Sequence, residues 1–179
     1  NPNDILIKVF SSGVNFPDGL LVQGKYQLKP PVPFTPGMEV SGEVFKIGSE
    51  VTEFKIGDRV AYSSMPIGAY SEKQIIPEDK LVKVPDNISD EVASCITLKG
   101  ITAEYLLHRT YQVKKGDKIL YHAAAGALGQ IFCPWANALG AEIIGTVGSD
   151  EKIEIAKKNG CHHVINYNEK NFNFIIFKS

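Results

Sequence analysis

The first half of the chain alternates apolar and polar side chains in short runs that are separated by turn residues. The runs are rich in Val and Ile and cover residues 5–9, 42–47, 58–62 and 80–84. Between two of them lie Pro30, Pro31, Pro33 and Pro36, where a helix could not continue. The pattern predicts a small β-barrel or β-sandwich over residues 1–90.

From Ser89 onward the period of the apolar positions changes. Ser89 offers an N-cap, and Asp90 and Glu91 place negative charge in the first turn of a helical stretch that continues to residue 107. Further on, the pattern predicts strands over residues 118–122, 142–147 and 163–166, with helices over 128–139 and 151–158. This alternation predicts a doubly wound parallel sheet over residues 91–179. The expected fold class is therefore mixed α/β.

Composition and charge limit the classes of protein that need to be considered. The 179 residues are 44% hydrophobic and 22% charged, which is ordinary for a globular protein, and the net charge of −1 gives no broad field for nucleic acid or an anionic membrane. There is neither a long apolar run nor a signal peptide, so we expect a cytoplasmic protein. Cys95, Cys133 and Cys161 are odd in number and far apart, which favours reduced, mostly packed thiols.

A glycine pattern between a predicted strand and a predicted helix favours a dinucleotide. Residues 124–129 begin with Ala124, whose small side chain permits a tight turn. Gly126 would let the backbone approach a pyrophosphate, and Gly129 would let the helix pack on the strand while its N-terminal N–H groups face the phosphates. The alternative is a plain tight turn that binds nothing, because short glycine patterns have a high false-positive rate.

The end of the next strand distinguishes between two dinucleotides. NAD-binding turns usually carry an acidic residue about 20 residues after the glycines, where this chain has Gly148 and Ser149. Ser149 can donate to a 2′-phosphate and Lys152 supplies positive charge, which favours NADPH. Asp150 and Glu151 weaken this argument, although acidic residues also suit the start of the next helix. Lys152 can equally be interpreted as a solvated helix residue.

Blocks of sequence in both halves carry a family resemblance. They cover residues 13–18, 36–44 and 57–60 in the first half, and 121–130, 135–141, 145–152 and 164–167 in the second. Together they resemble the NADPH:quinone oxidoreductase family, the zeta-crystallin-like branch of the zinc-free medium-chain dehydrogenases/reductases. The resemblance implies a GroES-like catalytic domain over residues 1–90 and the first half of a Rossmann NADPH-binding domain over residues 91–179.

The resemblance also implies chemistry without a metal. Zinc-dependent relatives carry Cys and His where this chain has Asn15 and Met38, and an amide and a thioether cannot replace thiolate and imidazole around Zn²⁺. Hydride transfer to an electrophilic acceptor does not need a Lewis acid. The expected function is NADPH-dependent reduction of a small quinone or conjugated carbonyl compound, with neither nucleic acid nor a membrane as partner.

The same resemblance implies roles for single residues. Asn15 would orient cofactor or substrate and Tyr26 would line the substrate cleft; a turn-forming Asn and ordinary aromatic packing are the alternatives. Leu20 stands where some members carry another Tyr. Thr102 would approach the nicotinamide ribose and Tyr167 the adenosine phosphate. The expected cofactor-binding residues are Asn15, Thr102, Ala125, Gly126, Ala127, Leu128, Gly129, Gly148, Ser149, Lys152 and Tyr167.

The histidines are not expected to be catalytic. We predict that His122 is packed within a strand of the second half, and His108 follows a helical Leu pair. His162 and His163 begin a strand without other ligands at metal spacing.

Both ends of the chain depart from the family pattern. The chain begins without Met, and residues 171–179 do not resemble the helix expected there. We therefore expect truncation at both ends and an exposed edge of the sheet. A degenerate inactive relict, a 2-enoyl thioester reductase and a binding-only module remain alternatives to a quinone reductase. Homodimers are common in the family, but forming one depends on the dimer-forming part of the Rossmann domain being present.

Overall fold

The computed structural model describes residues 1–169, and the chain divides into two compact units, Asn1–Leu98 and Lys99–Ser179. The prediction that residues 171–179 depart from the family pattern concerns a tail that lies outside the described residues. The division falls within a helix, Asp90–Tyr105 (α2), which begins in the first unit. There the Ser41 hydroxyl donates to Asp90 at 2.7 Å, and Ala93 packs against Ala61.

The first unit contains an antiparallel sheet in the order β4-β1-β2-β3-β5. Its strands are β1 (Asp4–Ser12), β2 (Glu39–Ile47), β3 (Arg59–Ser63), β4 (Lys73–Pro77) and β5 (Val82–Lys83). The sequence pattern predicted four of these strands and missed β4. In β4 the buried face carries Gln74 beside Ile76, while Ile75 is 58% exposed, so the apolar alternation that marks a strand is absent.

The core of the first unit lies on one face of this sheet. Ile5 and Ile7 of β1 are buried completely, as are Val40 and Val44 of β2. These pairs are spaced by two or four residues, as expected where alternate side chains of a strand point to one face. The sequence pattern did not predict the short helix Phe16–Val22 (α1), which follows β1.

The second unit has the predicted alternation of strands and helices. It contains β6 (Lys118–Tyr121), α3 (Gly129–Ala138), β7 (Glu142–Val147), a 3₁₀ turn (Asp150–Lys152), α4 (Ile153–Lys158) and β8 (His163–Asn166). The three strands are parallel, in the order β6-β7-β8. The mixed α/β fold class is confirmed. Cys133 and Cys161 are buried in this unit, whereas Cys95 on α2 is exposed.

One histidine lies elsewhere than predicted. His122 is exposed rather than packed, because β6 ends at Tyr121 and the backbone then turns, with Ala123 in the left-handed region at φ 57°. The Nδ1 atom of His122 lies 3.0 Å from the hydroxyl of Thr146, which is fully buried. Among residues 1–169, no helix is long and apolar enough to cross a membrane.

Alkaline pH is expected to destabilise the first unit through Tyr62. Burial raises the pKa of this phenol to about 12, although a hydrogen bond from Gln74 lowers it, and the phenol donates to the carbonyl of Pro66 at 2.7 Å. An exposed phenol titrates near pH 10. The neutral form of Tyr62 is therefore favoured in the folded state. Its contribution to the free energy of unfolding is at most about 3 kcal/mol, and it is lost as pH rises from about 10 to about 12.

Denaturant unfolding of wild type and Tyr62→Phe across this pH range checks the prediction. The difference in unfolding free energy between the two proteins should shrink above about pH 10. A constant difference would contradict it.

Candidate functional site

The turn between β6 and α3 is held by contacts that leave no room for side chains. The N–H of Ala124 donates to the carbonyl of Thr146 at 3.0 Å, which ties the turn to β7. A Cβ added to Gly129 would overlap the backbone of Ala124, with the Cα only 2.9 Å away. A Cβ on Gly145 of β7 would lie 2.7 Å from the Ala124 side chain. Glycine therefore permits the close approach of helix, turn and strand.

The start of α3 presents backbone donors that the protein leaves unpaired. Within residues 1–169, the N–H groups of Ala127, Leu128 and Gly129 donate to no protein acceptor, whereas the next one, of Gln130, donates to the Gly126 carbonyl at 3.0 Å. Ala127 is exposed and Leu128 packs partly against the core of the unit. Unpaired N–H groups at a helix N-terminus form a binding site for anions.

A cavity of about 120 Å³ lies at the carboxyl ends of the three parallel strands. It is lined by Ala123, Ala125, Gly126, Val147, Gly148, Lys152 and Tyr167. Ligands of open α/β sheets bind at this edge. The structure thus brings together five of the expected cofactor-binding residues, namely Ala125, Gly126, Gly148, Lys152 and Tyr167.

Tyr167 and Gly148 form one wall of this cavity. The N–H of Tyr167 donates to the carbonyl of Val147 at 3.0 Å, which joins the end of β8 to the end of β7. A Cβ on Gly148 would contact the phenol of Tyr167, with the ζ carbon 3.0 Å away. The ring of Tyr167 is 49% exposed, so one part of it faces solvent.

Positive and negative side chains near the cavity differ in whether they line it. Lys152 lines it and, within residues 1–169, forms no ion pair. Ser149 precedes the 3₁₀ turn, and its carbonyl accepts from the N–H of Lys152 at 3.1 Å. Asp150 accepts a hydrogen bond at 2.8 Å from the amide of Asn166. The cavity therefore has a cation, but no carboxylate, among its lining residues.

In the first unit, Asn15 lies at the start of α1. Its backbone N–H donates to Asp18 Oδ2 at 2.8 Å, and its side-chain amide donates to Glu39 Oε2 at 3.0 Å. The side chain is 9% exposed. Tyr26 is half-buried in the segment between α1 and β2, also in the first unit, whereas Thr102 is half-buried on α2 in the second.

Glu39 is the centre of a buried polar network around Asn15. Its side chain is fully buried, and Oε1 accepts the backbone N–H of Leu98 at 2.7 Å. Gly13 packs against it so closely that an added Cβ would lie 2.6 Å from Oε2. The buried Asp18 accepts the hydroxyl of Tyr70 at 2.7 Å. Burial, with this hydrogen bond, raises the pKa of Tyr70 well above that of a free phenol.

Comparison with known proteins identifies the family. The family described as "Alcohol dehydrogenase GroES-like domain" matches residues 1–86, and that described as "Zinc-binding dehydrogenase" matches residues 127–177. A quinone oxidoreductase of Pseudomonas aeruginosa is 46% identical over 170 residues, which are 95% of this chain and 52% of the relative. The crystal structure of Escherichia coli quinone oxidoreductase complexed with NADPH matches with a TM-score of 0.90 at 44% identity, over 94% of this chain and 52% of that one.

The chain belongs to the quinone oxidoreductase family. A 2-haloacrylate reductase of Burkholderia is similar too, at 44% identity over 96% of this chain and 53% of the relative. The chain spans about half the length of the curated relatives that it matches.

One matching family is described as zinc-binding, but the residues of this quinone oxidoreductase homologue do not fit a zinc ion. At the expected ligand positions, the Asn15 amide already donates to Glu39, and Met38 is a buried thioether. Residues 1–169 contain no group of three or more His, Cys, Asp or Glu that could hold a metal ion. No step of the chemistry is therefore assigned to a metal.

The sequence prediction named Asn15 but missed the residues that hold it, which are the buried Asp18 and Glu39 together with Tyr70, whose hydroxyl donates to Asp18. The sequence does contain a pattern that indicates one part of this network, the contact between Asn15 and Asp18. Asn15 and Asp18 have the spacing of a capping box, and Pro17 lies in the first turn of the helix. Glu39 and Tyr70 had no comparable signal, because they reach the site from distant parts of the chain.

Proposed function

We propose that the protein of this sequence is an NADPH-dependent reductase that transfers a hydride to a quinone or conjugated carbonyl acceptor. The observation that carries the proposal is the cavity that Lys152 lines without a lining carboxylate, together with the unpaired N–H groups at the start of α3, which follow the lining residue Gly126 in the chain. A dinucleotide with a third phosphate has the charge pattern that this surface would bind.

The cavity and the residues that adjoin it have separate roles in this proposal. The N–H groups of Ala127, Leu128 and Gly129 would hold the pyrophosphate, because they point from a helix N-terminus. Lys152 and Ser149 would hold the 2′-phosphate, and Tyr167 would close the wall beside Gly148. When bound, NADPH supplies the hydride, a proton with two electrons, from nicotinamide C4.

The first unit would contribute Asn15 and Tyr26. The Asn15 side chain is held in one direction by Glu39, and its backbone by Asp18, so it can orient a bound group without losing conformational entropy at that moment. Tyr26 would line the substrate cleft, and Thr102 of the second unit would approach the nicotinamide ribose.

The names of the relatives support the class of acceptor. Quinones and 2-haloacrylate both carry a C=C bond conjugated to a carbonyl carbon, so hydride can add to the electron-poor carbon while a proton completes the reduction. Enoyl thioesters share this feature and remain the enzymatic alternative.

Titration of the purified protein with NADPH tests the proposal. Quenching of protein fluorescence and a raised melting temperature are expected, followed by NADPH oxidation that depends on added quinone or conjugated acid. Binding without oxidation of NADPH by any acceptor would favour a binding-only module. A lack of any response at millimolar NADPH would contradict the proposal and favour an inactive relict.

Replacing Lys152 by alanine should weaken NADPH binding more than NADH binding. Loss of one charge-assisted contact to a 2′-phosphate corresponds to an increase of about tenfold in the Kd of NADPH, with little change for NADH, which lacks this phosphate. Lys158→Ala is the matched control, because Lys158 is an exposed lysine at the end of α4 and does not line the cavity. Equal effects of the two substitutions would remove Lys152 from the binding site.

A further inference from the structure

Two asparagines at the end of β8 hold the segment that follows β7. Asn166 donates from its side-chain amide to Asp150 Oδ1 at 2.8 Å, and its Oδ1 accepts the N–H of Asn168 at 3.1 Å. Asn168 then donates from its own amide to the carbonyl of Gly148 at 2.7 Å. Both ends of the Asn166 amide are therefore used, and its side chain is 9% exposed.

Asp150 and Asn166 of this network adjoin lining residues of the cavity in the chain. In the chain, Asp150 is two residues from both Gly148 and Lys152, which line the cavity, and Asn166 precedes Tyr167, which also lines it. Neither Asp150 nor Asn166 is a lining residue. The carboxylate of Asp150 lies two residues along the chain from Lys152, the cation of the cavity, and it is the carboxylate that Asn166 holds.

The position of this carboxylate affects which dinucleotide the cavity prefers. A carboxylate and a phosphate repel each other over distances up to the Debye length, about 8 Å at physiological ionic strength. A free carboxylate at the end of this strand can also accept hydrogen bonds from ribose hydroxyls, as NAD-binding sites do. A carboxylate that faced the cavity would therefore weaken NADPH binding and favour NADH.

We propose that Asn166 is a specificity-determining positioning residue, which holds the carboxylate of Asp150 outside the cavity and so preserves a preference for the phosphorylated dinucleotide. The inference rests on the proposed function. Asn166 suits this task because it donates to Asp150 without adding a charge, so that Lys152 stays the charged side chain of the cavity wall. An acidic residue at this position would repel Asp150.

A double-mutant cycle separates this role from a merely structural one. The quantity measured is the ratio of the Kd of NADH to that of NADPH, in wild type, Asn166→Ala, Asp150→Ala and the double variant. Asn166→Ala should lower the ratio about twofold to fivefold, the size of a typical surface charge effect. Removing Asp150 as well should restore it, because the liberated carboxylate causes the loss.

Asn168→Ala is the matched control. It removes the bond to the Gly148 carbonyl but keeps the bond between Asn166 and Asp150, so any change should affect both dinucleotides equally. If Asn166→Ala does not fold, Asn166→Ser provides the same comparison, because its side chain is polar but too short to reach Asp150.

The outcomes distinguish this inference from the proposed function. If wild type prefers NADPH and Asn166→Ala keeps the same ratio, or if the double variant does not regain it, the inference is overturned while the proposed function stands. If wild type binds neither dinucleotide, the proposed function fails first. A lowered ratio that Asp150→Ala restores supports both.

Discussion

Replacing Gly129 by alanine is expected to lower the free energy of unfolding by about 2–3 kcal/mol and to weaken NADPH binding at least about tenfold. The added methyl group would overlap the carbonyl and Cα of Ala124. Because this contact is with backbone rather than with a flexible side chain, the start of α3 has to move. The N–H groups of Ala127 and Leu128 would move with it. Urea unfolding and NADPH titration measure the two effects.

The matched control adds the same methyl group where there is space. Gly19 lies within α1, and a Cβ at this position would meet nothing within 4 Å. Gly19→Ala should therefore raise the free energy of unfolding, by up to about 1 kcal/mol, because alanine favours a helix over glycine. If Gly129→Ala were as stable as Gly19→Ala, the close packing of turn and helix would not be a requirement of this fold.

The second large effect is expected for Glu39. Glu39→Ala removes the fully buried carboxylate that accepts hydrogen bonds from the Leu98 N–H and from the Asn15 amide. A hydrogen bond to a charged group contributes about 1.5–3 kcal/mol, so the loss of these two bonds should lower the free energy of unfolding by about 3 kcal/mol. The loss of the bond from Asn15 to Glu39 should also lower the rate of acceptor reduction, if Asn15 orients cofactor or substrate.

An exposed carboxylate of the same kind provides the comparison. Glu50 lies in an exposed turn after β2, and Glu50→Ala should change the free energy of unfolding by less than about 0.5 kcal/mol. Glu39→Gln keeps the shape of the side chain and one acceptor oxygen. Its loss in free energy of unfolding should therefore lie between those of Glu39→Ala and Glu50→Ala. A Glu39→Ala variant as stable as Glu50→Ala would show that the buried network does not hold the first unit together.

Local patterns were sufficient to predict the second unit. Its strands run from residue 118, 142 and 163 to within one residue of the predicted ends, since apolar strand residues alternate with helices that have clear glycine stops. The turn was predicted for the same reason. Ala124 and Gly129 lie at the two ends of the turn. Their small side chains leave the space that the close packing of turn and helix needs, and this need can be recognised from neighbouring residues. The family was predicted from these blocks and is confirmed.

Long-range contacts decided what local patterns missed. In β4, Gln74 is buried because its amide donates to the hydroxyl of Tyr62 at 2.7 Å, and a buried Gln cannot be recognised from its neighbours in sequence. His122 was placed within a strand, but the tie between Ala124 and Thr146 ends β6 before it. The prediction that it is packed was wrong for this reason.

The sequence by itself determined the fold class, the order of strands and helices in the second unit and the glycine turn before α3, because apolar periodicity, helix caps and glycines act within a few residues of each other. The surroundings of each polar group were decided only by the tertiary structure. Glu39 reaches Asn15 and Leu98 from a separate strand, and Asn166 reaches Asp150 from the next strand of the sheet. Hydrogen bonds between residues far apart in the chain depend on strand register, which the sequence pattern does not specify.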